Sequence, residues 1–195
     1  MKIKSASFMK SAVKIGDCPI HECKEIAFAG RSNVGKSSLI NRLVLRRALA
    51  KTSNTPGRTR LLNFFLVNEE VVLVDLPGYG FARVSAQMKE EWGEMMSNYL
   101  SQRPNLVAVV LVVDSRREIG FEETSLVEWL HERDVKVVLV ITKVDKFSAN
   151  QLTKRLAQFK KSCPYGIEGV IIPFSAKTGE GRDSLWKAIN AVIAE

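Results

Sequence analysis

Two stretches of this chain, VAVVLVV at residues 107–113 and VKVVLVI at 135–141, are apolar almost without interruption. A strand wetted on one face alternates apolar with polar side chains. A run that does not alternate is buried on both faces, the condition of a parallel sheet covered by helices above and below. Runs of similar character lie at 24–29, 61–67, 71–75 and 169–174, and helical patterns separate them at 36–46, 85–101, 120–132, 148–161 and 182–193. This alternation predicts an α/β fold in three layers, with a six-stranded, mostly parallel sheet between helices. One link breaks the rule. LLNFFLV and VVLVD are joined only by Asn68-Glu69-Glu70, too short for a crossover, so one strand is expected to run antiparallel at the edge. Within the helices, Trp92, Met95, Met96, Tyr99 and Leu100, and Trp186, Ile189, Val192 and Ile193, fall at the spacing of a core-facing stripe. Residues 1–20 carry no decisive pattern, which leaves an N-terminal segment followed by one domain over 21–195.

The first strand runs directly into GRSNVGKSSL, residues 30–39. Its spacing, G-x-x-x-x-G-K-S between a strand and a helix, is that of a phosphate-binding loop. Gly30 and Gly35 let the backbone curl so that successive N–H groups point inward at an anion. The helix that follows adds its free N–H groups and the positive end of its dipole. Lys36 brings a point charge to the outer phosphates, and the Ser37 hydroxyl is a hard oxygen suited to Mg²⁺.

Three further boxes follow, each at the carboxyl end of an expected strand. VVLVDLPGYG ends a strand on Asp75, placed to hold a metal's water shell, and the Gly78 N–H is placed to meet a terminal phosphate. A strand-ending Asp followed by Pro-Gly is also ordinary turn chemistry. In ITKVDK, Asp145 can accept two hydrogen bonds from guanine's imino and amino groups, which adenine does not offer. The Lys143 stem can lie along the plane of the base. In PFSAKTGEG, small Ser175 and Ala176 allow a backbone N–H to approach guanine's keto oxygen. Each box alone is weak. Four in order, all at the strand ends where open α/β sheets bind ligands, make a nucleotide site.

The set GRSNVGKS, a Thr within TPGRTR, DLPG, TKVD and SAK resembles the translation-factor-related small GTPases. DLPGYGFA and the preceding NFF resemble, more narrowly, the EngB (YihA-type) GTPases, relatives of Era, EngA and TrmE. The likeness runs roughly from residue 20 to 193. It implies a Ras-like P-loop NTPase fold, binding of GTP and GDP with Mg²⁺, and GTP hydrolysis. It also implies a role in assembly of the bacterial large ribosomal subunit, contact with ribosomal RNA or a subunit precursor, and a link to cell division and septation.

Residue by residue, the resemblance places Gly30, Arg31, Ser32, Asn33, Val34, Gly35, Lys36, Ser37 and Ser38 around the phosphates. Pro56, Gly57, Arg58 and Thr59 form the expected switch, and Asp75, Leu76, Pro77 and Gly78 the terminal-phosphate sensor. Thr142, Lys143, Val144 and Asp145, with Ser175, Ala176 and Lys177, surround the base. Ser37 and Thr59 are the implied Mg²⁺ ligands, with Asp75 holding the ion through water; Thr55 competes with Thr59. Lys36, Thr59, Gly78 and Asn33 are the implied catalytic group, and Asn33 sits where relatives use Asn to ligate K⁺. Two departures stand out. Thr142 replaces the usual Asn of N-K-x-D and loses one amide contact. Tyr79 follows DxxG where many small GTPases have a water-orienting Gln, so intrinsic hydrolysis is expected to be slow. Segments 48–60 and 76–86 are expected to move between nucleotide states.

Composition bounds the partners. Net charge is +8 with a pI of about 9.5, a pointer to polyanions. Basic residues bunch at Arg42…Arg46-Arg47…Lys51, Arg58…Arg60, Lys154-Arg155 and Lys160-Lys161. A solvated helix face also explains such clusters. The three cysteines lack metal spacing and read as reduced thiols. Without a membrane-length apolar run, a secretory start or a lipid-anchor motif, the expectation is a cytoplasmic monomer. Two other readings compete: an ATP-dependent P-loop enzyme, which Asp145 and SAK oppose, and an RNA-binding module with steep salt dependence and no guanine preference.

Overall fold

The two unbroken apolar runs become central strands, β5 (Leu106–Asp114) and β6 (Lys136–Thr142), paired in parallel. The computed structural model describes residues 1–51, 61–79, 86–163 and 171–195. With β1 (Ala6–Ala12), β2 (Lys24–Ala29), β3 (Leu62–Val67), β4 (Val71–Asp75) and β7 (Ile171–Phe174), they form one sheet in the order β1-β3-β4-β2-β5-β6-β7. Among the described strands only β3 runs against the rest, antiparallel to both β1 and β4. Among the described residues the sheet therefore has seven strands rather than the expected six, and β1 takes the edge at which the antiparallel strand was expected. The reason is visible in ASFMKSA, where Phe8 is 51% exposed and only Ala12 is buried. An edge strand with so little buried surface leaves no hydrophobic pattern to read.

Alternation along each strand divides the core between the faces. Ile26 and Phe28 of β2 pack on one side with Leu39, Ile40 and Leu43 of α1 (Lys36–Leu43) and with Trp186 and Ile189 of α5 (Arg182–Ala194). The Trp186 indole N–H donates to the Leu43 carbonyl at 3.0 Å and ties these helices together. Ala27 and Ala29 face the other side with Tyr99 and Leu100 of α2 (Ala86–Gln102) and Leu130 of α3 (Phe121–His131). Phe159 of α4 (Ala149–Ser162) packs on Leu139 and Ile141.

Helix α1 stops at Leu43, three residues before its expected end. Leu45 turns left-handed (φ 55°), and the N–H groups of Leu45 and Arg46 bond the carbonyls of Arg42 and Asn41 at 3.3 and 2.9 Å. This is a Schellman cap with leucine where glycine is usual, so no sequence signal marks the stop. At the opposite pole, the buried Glu25 carboxylate accepts from Arg103 (2.6 and 2.9 Å) and from the Tyr99 hydroxyl (2.8 Å). Among the described residues, no helix is long and apolar enough to cross a membrane.

Candidate nucleotide-binding site

Register brings the strand tips into one row. Phe28 pairs with Asp75 across β2 and β4, Ala29 with Leu111 across β2 and β5, Asp114 with Thr142 across β5 and β6, and Thr142 with Phe174 across β6 and β7. The loops that leave these tips share one edge of the sheet. Gly30 emerges against β5 so closely that a Cβ there would collide with the Val112 carbonyl oxygen. Asn33 and Gly35 are left-handed (φ 63° and 104°), and they curl the loop into the first turn of α1, where the Leu39 N–H bonds the Gly35 carbonyl at 2.8 Å. Lys36 folds back over this curl, its Nζ 3.3 Å from the Gly30 carbonyl. Burial depresses the Lys36 ammonium below its ordinary range, with the Asp75 charge acting against that shift.

Beside it, the Ser37 hydroxyl donates to Asp75 Oδ2 at 2.9 Å. Asp75 is 3% exposed; burial pushes its carboxyl up, while Lys36 and Ser37 pull the other way. Its Oδ1 is buried and has no hydrogen-bond partner among the described residues. An orphaned carboxylate oxygen beside a hydroxyl suits a hydrated hard cation. Gly78 then presses on the phosphate loop: a Cβ there would lie 2.6 Å from Ser32 Oγ and 2.9 Å from its Cα. The Ser32 N–H bonds the Tyr79 carbonyl at 3.1 Å. Arg31 is clamped outward by Glu122 of α3 at 2.7 Å.

The loop expected to read the base is wired to the phosphate loop. The Thr142 hydroxyl lies 2.6 Å from the Val34 carbonyl and 3.2 Å from that of Val113. Lys143, left-handed at φ 60°, spans the gap, its Nζ 2.7 Å from the Asn33 carbonyl and 2.8 Å from Asp114 Oδ2. Val144 is buried beneath this turn. The Ser175 hydroxyl donates to Asp145 Oδ1 at 2.8 Å, which fixes the carboxylate toward the SAK loop. Arg42 supports that loop from α1 by donating to the Ala176 and Lys177 carbonyls, both at 2.6 Å.

The structure thus gathers residues 30–38, 75–78, 142–145 and 175–177 at one edge. Pro56, Gly57, Arg58 and Thr59, with the competing Thr55, lie outside the described residues. Two residues escaped the sequence reading. Asp114 ends its strand just as Asp75 does, and that was the available signal. Burial alone would raise its carboxyl, but bonds from Arg116 and Lys143 hold it well below the usual carboxylate range. Arg42 was read only as one member of a basic cluster that a solvated helix face also explains, and nothing local pointed it at the SAK loop.

Residues 25–143 match the family model described as 50S ribosome-binding GTPase. A probable GTP-binding protein EngB of Desulfatibacillum aliphaticivorans is 52% identical, with 97% of this chain and 92% of the relative covered. The chain belongs to the EngB family of GTP-binding GTPases. The EngB of Geobacter metallireducens agrees, 50% identical over 100% of this chain and 95% of its own. A crystal structure of a probable EngB superposes with a TM-score of 0.68 at 30% identity, covering 87% of this chain and 98% of that one. Era, solved with MgGDPNP and a 16S ribosomal RNA segment, shares the fold (TM-score 0.69, 23% identity, 87% of this chain and 56% of Era).

Proposed function

We propose that this EngB chain is a GTP-driven switch in assembly of the large ribosomal subunit, acting as a cytoplasmic monomer. The observation that carries the nucleotide part is Lys143, whose ammonium ties the phosphate loop to the base-reading loop through Asn33 and Asp114. A pocket built in this way grips a triphosphate at one end and reads a purine edge at the other. Residues 30–38 wrap the phosphates, and Lys36 meets the outermost oxygens. Asp145 accepts from guanine's imino and amino groups, while Ser175, Ala176 and Lys177 close on its keto oxygen. Ser37 and Thr59 would hold Mg²⁺, with Asp75 holding it through water, a role that the orphaned Asp75 Oδ1 supports. When bound, Mg²⁺ neutralises charge on the phosphate oxygens.

Tyr79 has no amide with which to hold an attacking water, and its hydroxyl is buried. Intrinsic hydrolysis is therefore expected to be slow, and Asn33 would hold K⁺, which would supply positive charge near the leaving group. Turnover in K⁺ and in Na⁺ at equal ionic strength tests this; equal rates remove the cation. The ribosomal part is supported by the description of the matching family model and by the +8 charge. Co-sedimentation with large-subunit precursors, once with a non-hydrolysable GTP analogue and once with GDP, tests it. Binding favoured by the analogue supports the switch, and indifference to nucleotide removes it. A link to cell division predicts filamentous cells on depletion.

A further inference from the structure

We propose that the basic cavity at the end of α1 seats RNA backbone phosphates beside the bound nucleotide; this rests on the ribosomal reading above and gives it a surface. The cavity has a volume of about 610 Å³; Arg42, Arg46, Arg47 and Lys177 line it with no acidic residue, and its inner wall of Ser38, Ala176 and Lys177 belongs to the nucleotide site. Arg46, Arg47 and Lys177 are exposed and make no ion pair among the described residues. Cations packed together without counter-charge repel one another, and an anion that enters relieves this.

The loop that displays them is built rather than loose. The Schellman cap fixes where the chain leaves α1, at the cost of a left-handed Leu45 that remains 55% exposed. The Asn41 side chain then closes the loop with paired bonds to Ala50, its amide donating to the carbonyl at 2.8 Å and its oxygen accepting from the N–H at 2.8 Å. Arg46 and Arg47 are thereby held on a ten-residue span, 41–50, pinned at both ends. Strain retained at an exposed leucine beside two arginines is what a binding loop shows when geometry matters more than local comfort.

Guanidinium forks match phosphate oxygens two at a time, and an RNA strand offers such an anion at every nucleotide. The cavity shares Ala176 and Lys177 with the guanine-reading loop, and Arg42 donates to both of their carbonyls. RNA seated here would touch the element that senses the base.

The test uses the full chain with Arg46→Gln and Arg47→Gln together, neither of which belongs to the nucleotide pocket. Binding of large-subunit ribosomal RNA transcribed in vitro is followed across a salt series, alongside GDP calorimetry and thermal melting. The proposal expects weaker RNA binding and a log–log salt slope flatter by about 1.4–1.8, the loss of two phosphate contacts. GDP affinity and melting stay at wild-type values. Unchanged RNA affinity and slope overturn the site while leaving the ribosomal reading in place. A wild-type chain that binds no ribosomal RNA overturns both. Unchanged RNA binding with loss of poly-glutamate binding assigns the cavity to an acidic peptide and overturns the proposal, as does a parallel loss of GDP affinity, which would make it part of the nucleotide pocket.

Discussion

Thr142→Val removes one hydroxyl and keeps the shape of the side chain. That hydroxyl has a single proton, and the 2.6 Å approach to the Val34 carbonyl takes it in preference to the 3.2 Å approach to Val113. Val34 is 3% exposed, so its carbonyl cannot turn to water without moving the phosphate loop. A buried acceptor left without a donor costs about 1–3 kcal/mol. In the nucleotide-free protein the loop can relax to recover part of this, and phosphate binding must then reorder it. A share of about 1–2 kcal/mol appears as weaker binding, roughly 5–30-fold in Kd. Calorimetric titration with GDP measures this directly, and Thr142→Ser, which keeps the donor, is the control. If valine and serine variants bind GDP within about twofold of wild type, against the cost expected for an orphaned carbonyl, the brace between base loop and phosphate loop is wrong.

Other perturbations separate stability from function. Glu25→Ala strands the part-buried Arg103 guanidinium and the buried Tyr99 hydroxyl and should cost about 3 kcal/mol in denaturant unfolding. GDP affinity should hold, because the site lies at the far end of β2, roughly 16 Å away at strand rise. Gly78→Ala drives a Cβ to within 2.9 Å of Ser32 Cα, so single-turnover GTP hydrolysis should fall by about tenfold or more while GDP affinity changes little. Asp114→Asn should cost about 1–3 kcal/mol at neutral pH. Because the folded carboxyl is held below its unfolded range, the wild-type advantage should be full above about pH 5 and shrink as pH falls through the unfolded value near 3.9 toward the folded one. Urea melts across pH check this; an advantage that grows on acidification would reverse the sign.

What the sequence disclosed follows from where the signal is physical. Strands buried on both faces announce themselves by unbroken apolar runs, and glycines that must curl around an anion fix their own spacing. β1 was hidden because its outer residues are wet, and the end of α1 because leucine occupies a position that glycine usually marks. Glu25 contradicts an apolar strand until its partners are known, and Tyr99 and Arg103 lie 74 and 78 residues away. The Arg31–Glu122 clamp spans 91 residues and is equally invisible to local pattern. Asp114 was legible in principle, since it repeats the strand-ending carboxylate of Asp75.

The account stands on guanine being read by a carboxylate at one strand tip while phosphates are gripped at another. Side-by-side calorimetry of GDP and ADP on the wild-type chain, repeated for GDP on Asp145→Ala, tests this most directly. Wild type should prefer GDP by at least about tenfold, and Asp145→Ala should lose most of that advantage, the cost of unpaired polar groups at the base edge. Equal affinities for GDP and ADP, or a variant that binds GDP as wild type does, would contradict it.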